Sequence, residues 1–157
     1  MMGVTMQLKA VSESKLLEMI EGAGDPDGYL FEGGKEALDL SRSWYGLHDL
    51  ICDGALTGKG PLFNALMGGR PLEHAEELVR SLSAEQTREV AQALQAKSEA
   101  ELTAGFNPQR MNEEGVYPSA DWSAPGELDH LLERYRALTA YYRAAAENGE
   151  GMLLYSF

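Results

Sequence analysis

The fold is decided by one stretch, which reads Leu38-Asp39-Leu40-Ser41-Arg42-Ser43-Trp44-Tyr45-Gly46-Leu47-His48-Asp49-Leu50-Ile51. At helical spacing, its apolar residues share one face with a single polar residue; this face consists of Leu40, Trp44, Leu47, His48 and Ile51. A histidine on a face that packs into a core needs a hydrogen-bond partner, because an unpaired buried polar group costs free energy. Any site on this chain is therefore expected around Trp44 and His48.

Strand patterns mark both ends of the chain. In residues 4–9 apolar and polar side chains alternate, starting with Val4, which is typical of a strand with one buried side. Residues 152–157, ending at Phe157, are too apolar to remain in solvent and predict a buried strand. Residues 74–82 fit either a helix or a strand. The alternation of Leu78, Arg80 and Leu82 favours a strand over residues 78–82.

Reciprocal capping patterns place two adjacent helices in the second half of the chain. Ser83 is followed three residues later by Gln86, and Ser98 by Glu101, so each pair can satisfy two backbone N–H groups at a helix start. Shorter helices are predicted through Leu16 to Ile20 with Ser12 or Ser14 as the cap, from Pro61 to Met67, and from Asn107-Pro108 to Gly115.

The longest helix is predicted to begin at Pro125 and to end at Asn148-Gly149. Its apolar stripe covers about six turns and consists of Leu128, Leu131, Leu132, Tyr135, Leu138, Tyr142 and Ala145. With strands at both ends and helices between them, the chain is expected to form an α/β fold. A small mixed sheet would contain the N- and C-terminal strands near its centre, covered by helices. The length of 157 residues fits one domain, residues 1–157.

The charge balance is strongly acidic. The formal net charge is −12, from 25 acids and 13 bases, and such a surface repels phosphate backbones, so no nucleic-acid partner is predicted. One interpretation is that the charge serves solubility. The other is that an acidic surface recognises a basic protein partner.

Cysteine usage and hydropathy predict the compartment. Cys52 is the only cysteine, so an internal disulfide and a cysteine-based metal site are both excluded. The N-terminal residues show no basic region followed by an apolar core, and no run approaches the ~18 apolar residues that a membrane span needs. We therefore predict a cytoplasmic protein that does not enter a membrane.

Several motif matches fail. Residues 54–60 contain Gly58-Lys59, but a phosphate-binding loop needs a glycine where Asp53 stands and a serine or threonine after the lysine. Asp25-Pro26-Asp27-Gly28 lacks the spacing of a calcium loop. The three histidines, His48, His74 and His130, lack the partner spacing of a zinc site. No metal or organic cofactor is predicted.

The remaining candidate pocket combines Trp44, His48, Arg80, Tyr117 and Asp39. An imidazole can act as acid or base near neutral pH, and an arginine can hold an anion. The simpler interpretation is that His48 is a core histidine bonded to a backbone carbonyl or a carboxylate, with Trp44 as packing.

The block at residues 38–50 resembles the signature Leu-Asp-x-x-Lys-x-Trp-x-x-Leu-His-x-Leu of the YfbM-like proteins, a bacterial family of unknown function. Three further pieces agree in order: Pro61-Leu62 with Gly68-Gly69, the capped helix at residues 83–94, and Tyr117-Pro118 before the long helix. Arg42 stands at the lysine of the signature, and its Leu-Thr-Gly occurs later, at residues 56–58.

The resemblance covers nearly the whole chain and implies a compact α/β domain with a strand at residues 78–82. It implies no reaction and no catalytic residue. What it adds for the candidate pocket is that Trp44, His48 and Tyr117 match the family pattern.

Three functions are compatible with the sequence. The first is a non-enzymatic cytoplasmic domain that binds a protein partner through its acidic surface, for example of the immunity type. The second is a small-ligand binder or enzyme with a pocket around His48, where His48 acts as acid or base. The third is a self-associating structural domain with an exposed apolar patch.

Overall fold

The structure, a computed structural model, describes residues 5–22, 24–26, 28–29, 36–72, 78–119 and 121–156. Its strands are β1 (Met6–Val11), β2 (Leu38–Ser41), β3 (Arg70–Pro71), β4 (Leu78–Leu82) and β5 (Gly151–Ser156). Its helices are α1 (Glu13–Ile20), α2 (Trp44–Cys52), α3 (Pro61–Asn64), α4 (Ala84–Ala96), α5 (Glu99–Gly105), α6 (Pro108–Glu113) and α7 (Glu127–Glu147). Three residues of the sequence-based predictions, Val4, His74 and Phe157, lie outside the described residues.

The strands form one sheet in the order β2-β1-β5-β4-β3. The two ends of the chain pair with each other, from Met6 opposite Ser156 to Val11 opposite Gly151. The terminal strands therefore lie at and next to the centre, and the α/β fold class and the strand at residues 78–82 are confirmed.

The direction of the strands differs from the expectation. All four pairings are antiparallel, where a mixed sheet was predicted. Strand direction was not readable from the sequence, because connections that contain helices can return a strand in either sense.

Both faces of the sheet are covered. Met152 and Leu154 of β5 face the main core, to which α2, α4 and α7 contribute, whereas Leu153 and Tyr155 face a smaller core under Leu16 and Met19 of α1. The predicted strand with one buried side is thus wrong for β1.

Lys9, on the supposedly solvated side of β1, is only 3% exposed. Its ammonium donates to the carbonyl of Tyr29 at 2.7 Å and lies 4.8 Å from the centre of that ring. Burial lowers the pKa of Lys9.

The deciding stretch contains a strand and a helix, and it is not helical throughout. Residues Leu38–Ser41 form β2, and α2 begins at Trp44. Ser41 has a φ of +49°, which a helix does not allow, and its N–H donates to the Asp39 carboxylate at 2.7 Å. Leu40 nevertheless points into the main core together with Trp44. The predicted buried face is correct, but Leu40 reaches it from a strand.

The predicted helix starts are mostly confirmed. The Ser83 hydroxyl accepts from the Gln86 N–H at 3.1 Å while Gln86 accepts from the Ser83 N–H at 2.9 Å, and the pair starting at Ser98 repeats this box. The long helix begins at Glu127 and not at Pro125, because Gly126 before it has a φ of +89°.

Candidate functional site

His48 is held as a core residue. It lies on α2, is 1% exposed, and its Nε2 is 2.8 Å from the carbonyl oxygen of Ala55. The ring of Phe63 meets it edge-on, with centroids 5.3 Å apart. Burial lowers the pKa of His48, against the opposing effect of the Ala55 hydrogen bond. The neutral imidazole therefore donates from Nε2 to Ala55 and fixes the loop that follows α2.

Trp44 begins α2 and packs in the main core. Its ring stacks on that of Tyr45, with centroids 5.4 Å apart and planes inclined by 27°. One helical turn separates it from His48, as the sequence predicts, and both side chains point inward from the same helix. Both side chains serve to anchor α2 to the core.

The Arg80 guanidinium donates its hydrogen bonds to backbone carbonyls. From β4, it donates to the carbonyls of Gly68 and Leu66, the latter at 2.9 Å. The hydroxyl of Tyr142 donates to the neighbouring carbonyl of Ala65 at 2.8 Å. Burial lowers the pKa of Arg80. The turn after α3 is thus tied to the sheet by Arg80 and to α7 by Tyr142.

Asp39 and Tyr117 lie apart from this region. The Asp39 side chain is exposed and accepts from both the N–H and the hydroxyl of Ser41, at 2.7 and 3.2 Å. Tyr117 precedes a cis peptide bond to Pro118, and its buried hydroxyl has no hydrogen-bond partner among the described residues. Asp39 shapes a turn, and Tyr117 is half-buried in the connection between α6 and α7.

The five predicted site residues do not converge on one cavity. Cavities of about 530, 330, 300 and 180 Å³ open on the surface, and none of the four is lined by any of the five residues within the described part of the chain. His48 and Arg80 come nearest to each other, since both contact the segment 63–68, at Phe63 and at Leu66 and Gly68. The predicted pocket is not assembled: Trp44 and His48 are buried, Arg80 and Tyr117 are half-buried, and Asp39 is exposed.

The cavity closest to His48 has a volume of about 300 Å³. Its lining includes Ala55 and Phe63, the two residues that cover the imidazole, together with Cys52 and the loop 57–60. Burial raises the pKa of the Cys52 thiol to about 11, so the thiol stays protonated.

A buried ion pair was not predicted. The Asp49 carboxylate is 2% exposed and receives two hydrogen bonds from Arg110, at 2.7 and 3.1 Å. Arg110 also reaches Glu114 at 3.2 Å, and these carboxylates raise its pKa. The pair joins α2 to α6, which are 61 residues apart in sequence.

A contact between a serine and a histidine was also not predicted from the sequence. The hydroxyl of Ser43, immediately before α2, is 2.9 Å from Nε2 of His130 on α7. The sequence offers no signal for it, because the two residues are 87 positions apart and no motif joins them.

The acidic charge is concentrated in residues 99–133, which we name the acidic segment. It holds eight acids and one base, Arg110. Three of its acids, Glu127, Asp129 and Glu133 at the start of α7, form no ion pair within the part of the chain that the structure describes. Asp129 and Glu133 lie near enough to Arg136 to raise its pKa.

Two features are absent from the residues that the structure describes. No helix there is long and apolar enough to cross a membrane. No group of three or more histidine, cysteine, aspartate or glutamate side chains in that part could hold a metal ion.

Comparison with known proteins gives one family and one fold. The sequence pattern of the family described as Domain of unknown function (DUF1877) matches residues 2–155. The chain is similar to a solved structure titled as that of a protein of unknown function, YfbM from Escherichia coli, at 20% identity and a TM-score of 0.76, covering 98% of this chain and 99% of that one. At this identity the likeness shows the fold alone. No curated protein matches the chain.

Proposed function

The chain belongs to the family described as Domain of unknown function (DUF1877), and from that premise we propose that it is a protein-binding domain that engages a basic partner through the acidic segment. One observation carries this proposal: the first turns of α7 carry three carboxylates, Glu127, Asp129 and Glu133, that form no ion pair among the described residues. Charges of one sign on a surface steer a partner of the opposite sign and set its register.

The roles of the predicted pocket residues support this proposal indirectly. His48 Nε2 binds the backbone carbonyl of Ala55, and the Arg80 guanidinium binds those of Leu66 and Gly68. Groups bound in this way are not available to a substrate, so we place the function on the surface and not in chemistry around His48. An immunity-type domain, which binds a basic toxin, is the concrete form we propose, with the cytoplasm as its compartment.

The test compares two triple variants with the same change in charge. Glu127→Gln, Asp129→Asn and Glu133→Gln neutralise the start of α7. As the control, Glu13→Gln, Glu18→Gln and Glu21→Gln neutralise exposed acids in and next to α1, which covers the opposite face of the sheet. Each tagged protein is used to capture partners from an extract of the source cells, and captured proteins are identified by mass spectrometry.

We expect one basic protein to be retained by the wild type and the α1 variant and lost by the α7 variant. Because the attraction is between exposed charges, less of this basic protein should be captured as the salt concentration rises. The proposal is wrong if no protein is retained by the wild type, or if the α7 variant retains the same proteins as the control.

A second candidate function, small-molecule binding, is favoured by the cavity of about 300 Å³ beside Ala55 and Phe63. Its volume is at the lower limit for drug-sized ligands. Thermal-shift screening against metabolites tests it, with Thr57→Trp to fill the cavity and Thr103→Trp on exposed α5 as the control. A ligand that stabilises the wild type and the control but not Thr57→Trp supports this function. A screen without such a ligand contradicts it.

A further inference from the structure

Ser43 and His130 have the contact geometry of a nucleophile and its base. Ser43 Oγ lies 2.9 Å from His130 Nε2, within the distance at which an imidazole can take a hydroxyl proton. We propose that Ser43 is an activated serine that accepts an acyl group from a small carboxylic ester, with His130 as the general base.

The local fold directs the Ser43 hydroxyl toward the imidazole. Ser43 is at the position that usually caps a helix, yet its side chain makes no capping bond to α2. Ser41, with its φ of +49°, turns the chain sharply between β2 and α2. Ser43 itself has helical dihedrals, with φ −75° and ψ −11°, so the sharp turn lies before it and its hydroxyl faces His130.

The start of α2 supplies donors beside this hydroxyl. The first hydrogen bond of α2 runs from the N–H of Leu47 to the carbonyl of Ser43, at 3.0 Å. The N–H groups of Tyr45 and Gly46 have no acceptor in the described part of the chain. Backbone donors of this kind, at the positive end of a helix, stabilise the oxyanion of a tetrahedral intermediate.

Access sets the class of substrate. Ser43 is 9% exposed, while the His130 side chain lies in solvent. Neither residue lines any of the four cavities described above. Because no cavity lies at the site, the proposed substrate is a short acyl group on a good leaving alcohol. A long acyl chain would find no apolar cavity to fill.

The reaction is an acyl transfer in two steps. Ser43 Oγ bonds to the carbonyl carbon and its proton passes to His130 Nε2; the ester C–O bond then breaks, and the alcohol leaves with that proton. In the second step water attacks the acyl-serine and gives its proton to His130. The carboxylic acid is released, and the proton returns to Ser43 Oγ.

This inference goes beyond the proposed partner, because it needs neither a bound protein nor the carboxylates of α7. The test uses the full chain with a fluorophosphonate probe, which phosphonylates activated serines, and with 4-nitrophenyl acetate. The variants are Ser43→Ala, His130→Gln and, as a matched control, Ser123→Ala, an exposed serine whose hydroxyl is bonded to Asp121. Circular dichroism verifies that each variant is folded.

We expect the probe to attach to Ser43, as mapped by peptide mass spectrometry, and 4-nitrophenyl acetate to be hydrolysed. His130→Gln should lower both rates about 100-fold, Ser43→Ala should abolish them, and Ser123→Ala should keep them. A wild-type protein that the probe does not label overturns the inference. Labelling at another residue, or rates unchanged in His130→Gln, also overturns it.

Discussion

Asp49 and Arg110 form a two-point ion pair between α2 and α6, in which the carboxylate is buried and the guanidinium is partly in solvent. Because of this difference in exposure, removing Arg110 should destabilise the fold more than removing Asp49. Without Arg110, the Asp49 charge stays in the core with no cation beside it. Without Asp49, the Arg110 head group can turn to water and to Glu114.

We therefore expect Arg110→Met to lower the free energy of unfolding by about 3–5 kcal/mol and Asp49→Asn by about 1–3 kcal/mol. Urea denaturation measures both. Arg136→Met, which breaks the exposed pair with Glu99, is the control and should change little. Equal losses for the two partners of the buried pair would contradict this assignment.

Buried His48 should make stability depend on pH. Because burial lowers its pKa in the folded protein, the unfolded chain binds a proton near its ordinary pKa of about 6.5 while the folded chain does not. Stability is therefore lost as pH falls through this range. We expect the free energy of unfolding to fall less in His48→Gln than in wild type between about pH 7.5 and about pH 5.5. Parallel pH dependence in the two proteins would be the opposite result.

Arg80 should stabilise the fold through its hydrogen bonds to backbone carbonyls. Arg80→Met leaves the carbonyls of Leu66 and Gly68 without their donors and should cost about 1–3 kcal/mol. Arg88→Met, on the exposed side of α4, should leave the urea midpoint unchanged. If Arg80→Met were as stable as wild type, Arg80 would be free for a ligand.

Gly46 permits α2 to approach Trp122 closely. A Cβ at Gly46 would lie 2.3 Å from Cη2 of that indole. Gly46→Ala should therefore destabilise the protein by about 1–3 kcal/mol, although alanine normally favours a helix. Gly105→Ala, at the end of exposed α5, is the control, because its Cβ would meet only the Asp53 carboxylate, at 3.2 Å, and it should change stability little. A Gly46→Ala protein that melts at a higher temperature would contradict this packing.

The features predictable from sequence are those set by near neighbours along the chain. The caps at Ser83 and Ser98 formed as expected because their hydrogen bonds span three residues. Strand β2 was predicted as part of a helix, since Leu40 and Trp44 have helical spacing and the turn depends on the φ of Ser41.

The candidate site was less predictable because it depends on packing between distant segments. Whether His48, Arg80 and Tyr117 meet is decided by where the turn at residues 65–68 and the loop at residue 117 pack, which no local pattern reveals. The contacts of Asp49 with Arg110 and of Ser43 with His130 have the same origin, since each joins residues more than 60 positions apart.

The central claim is that the acidic segment binds a basic protein, and the dissociation constant of the captured partner tests it most directly. Isothermal titration calorimetry compares the wild type with the α7 and α1 triple variants. We predict that neutralising Glu127, Asp129 and Glu133 weakens binding about tenfold or more, which corresponds to about 1.4 kcal/mol, while the α1 variant binds like the wild type. Equal dissociation constants for all three proteins would contradict the claim.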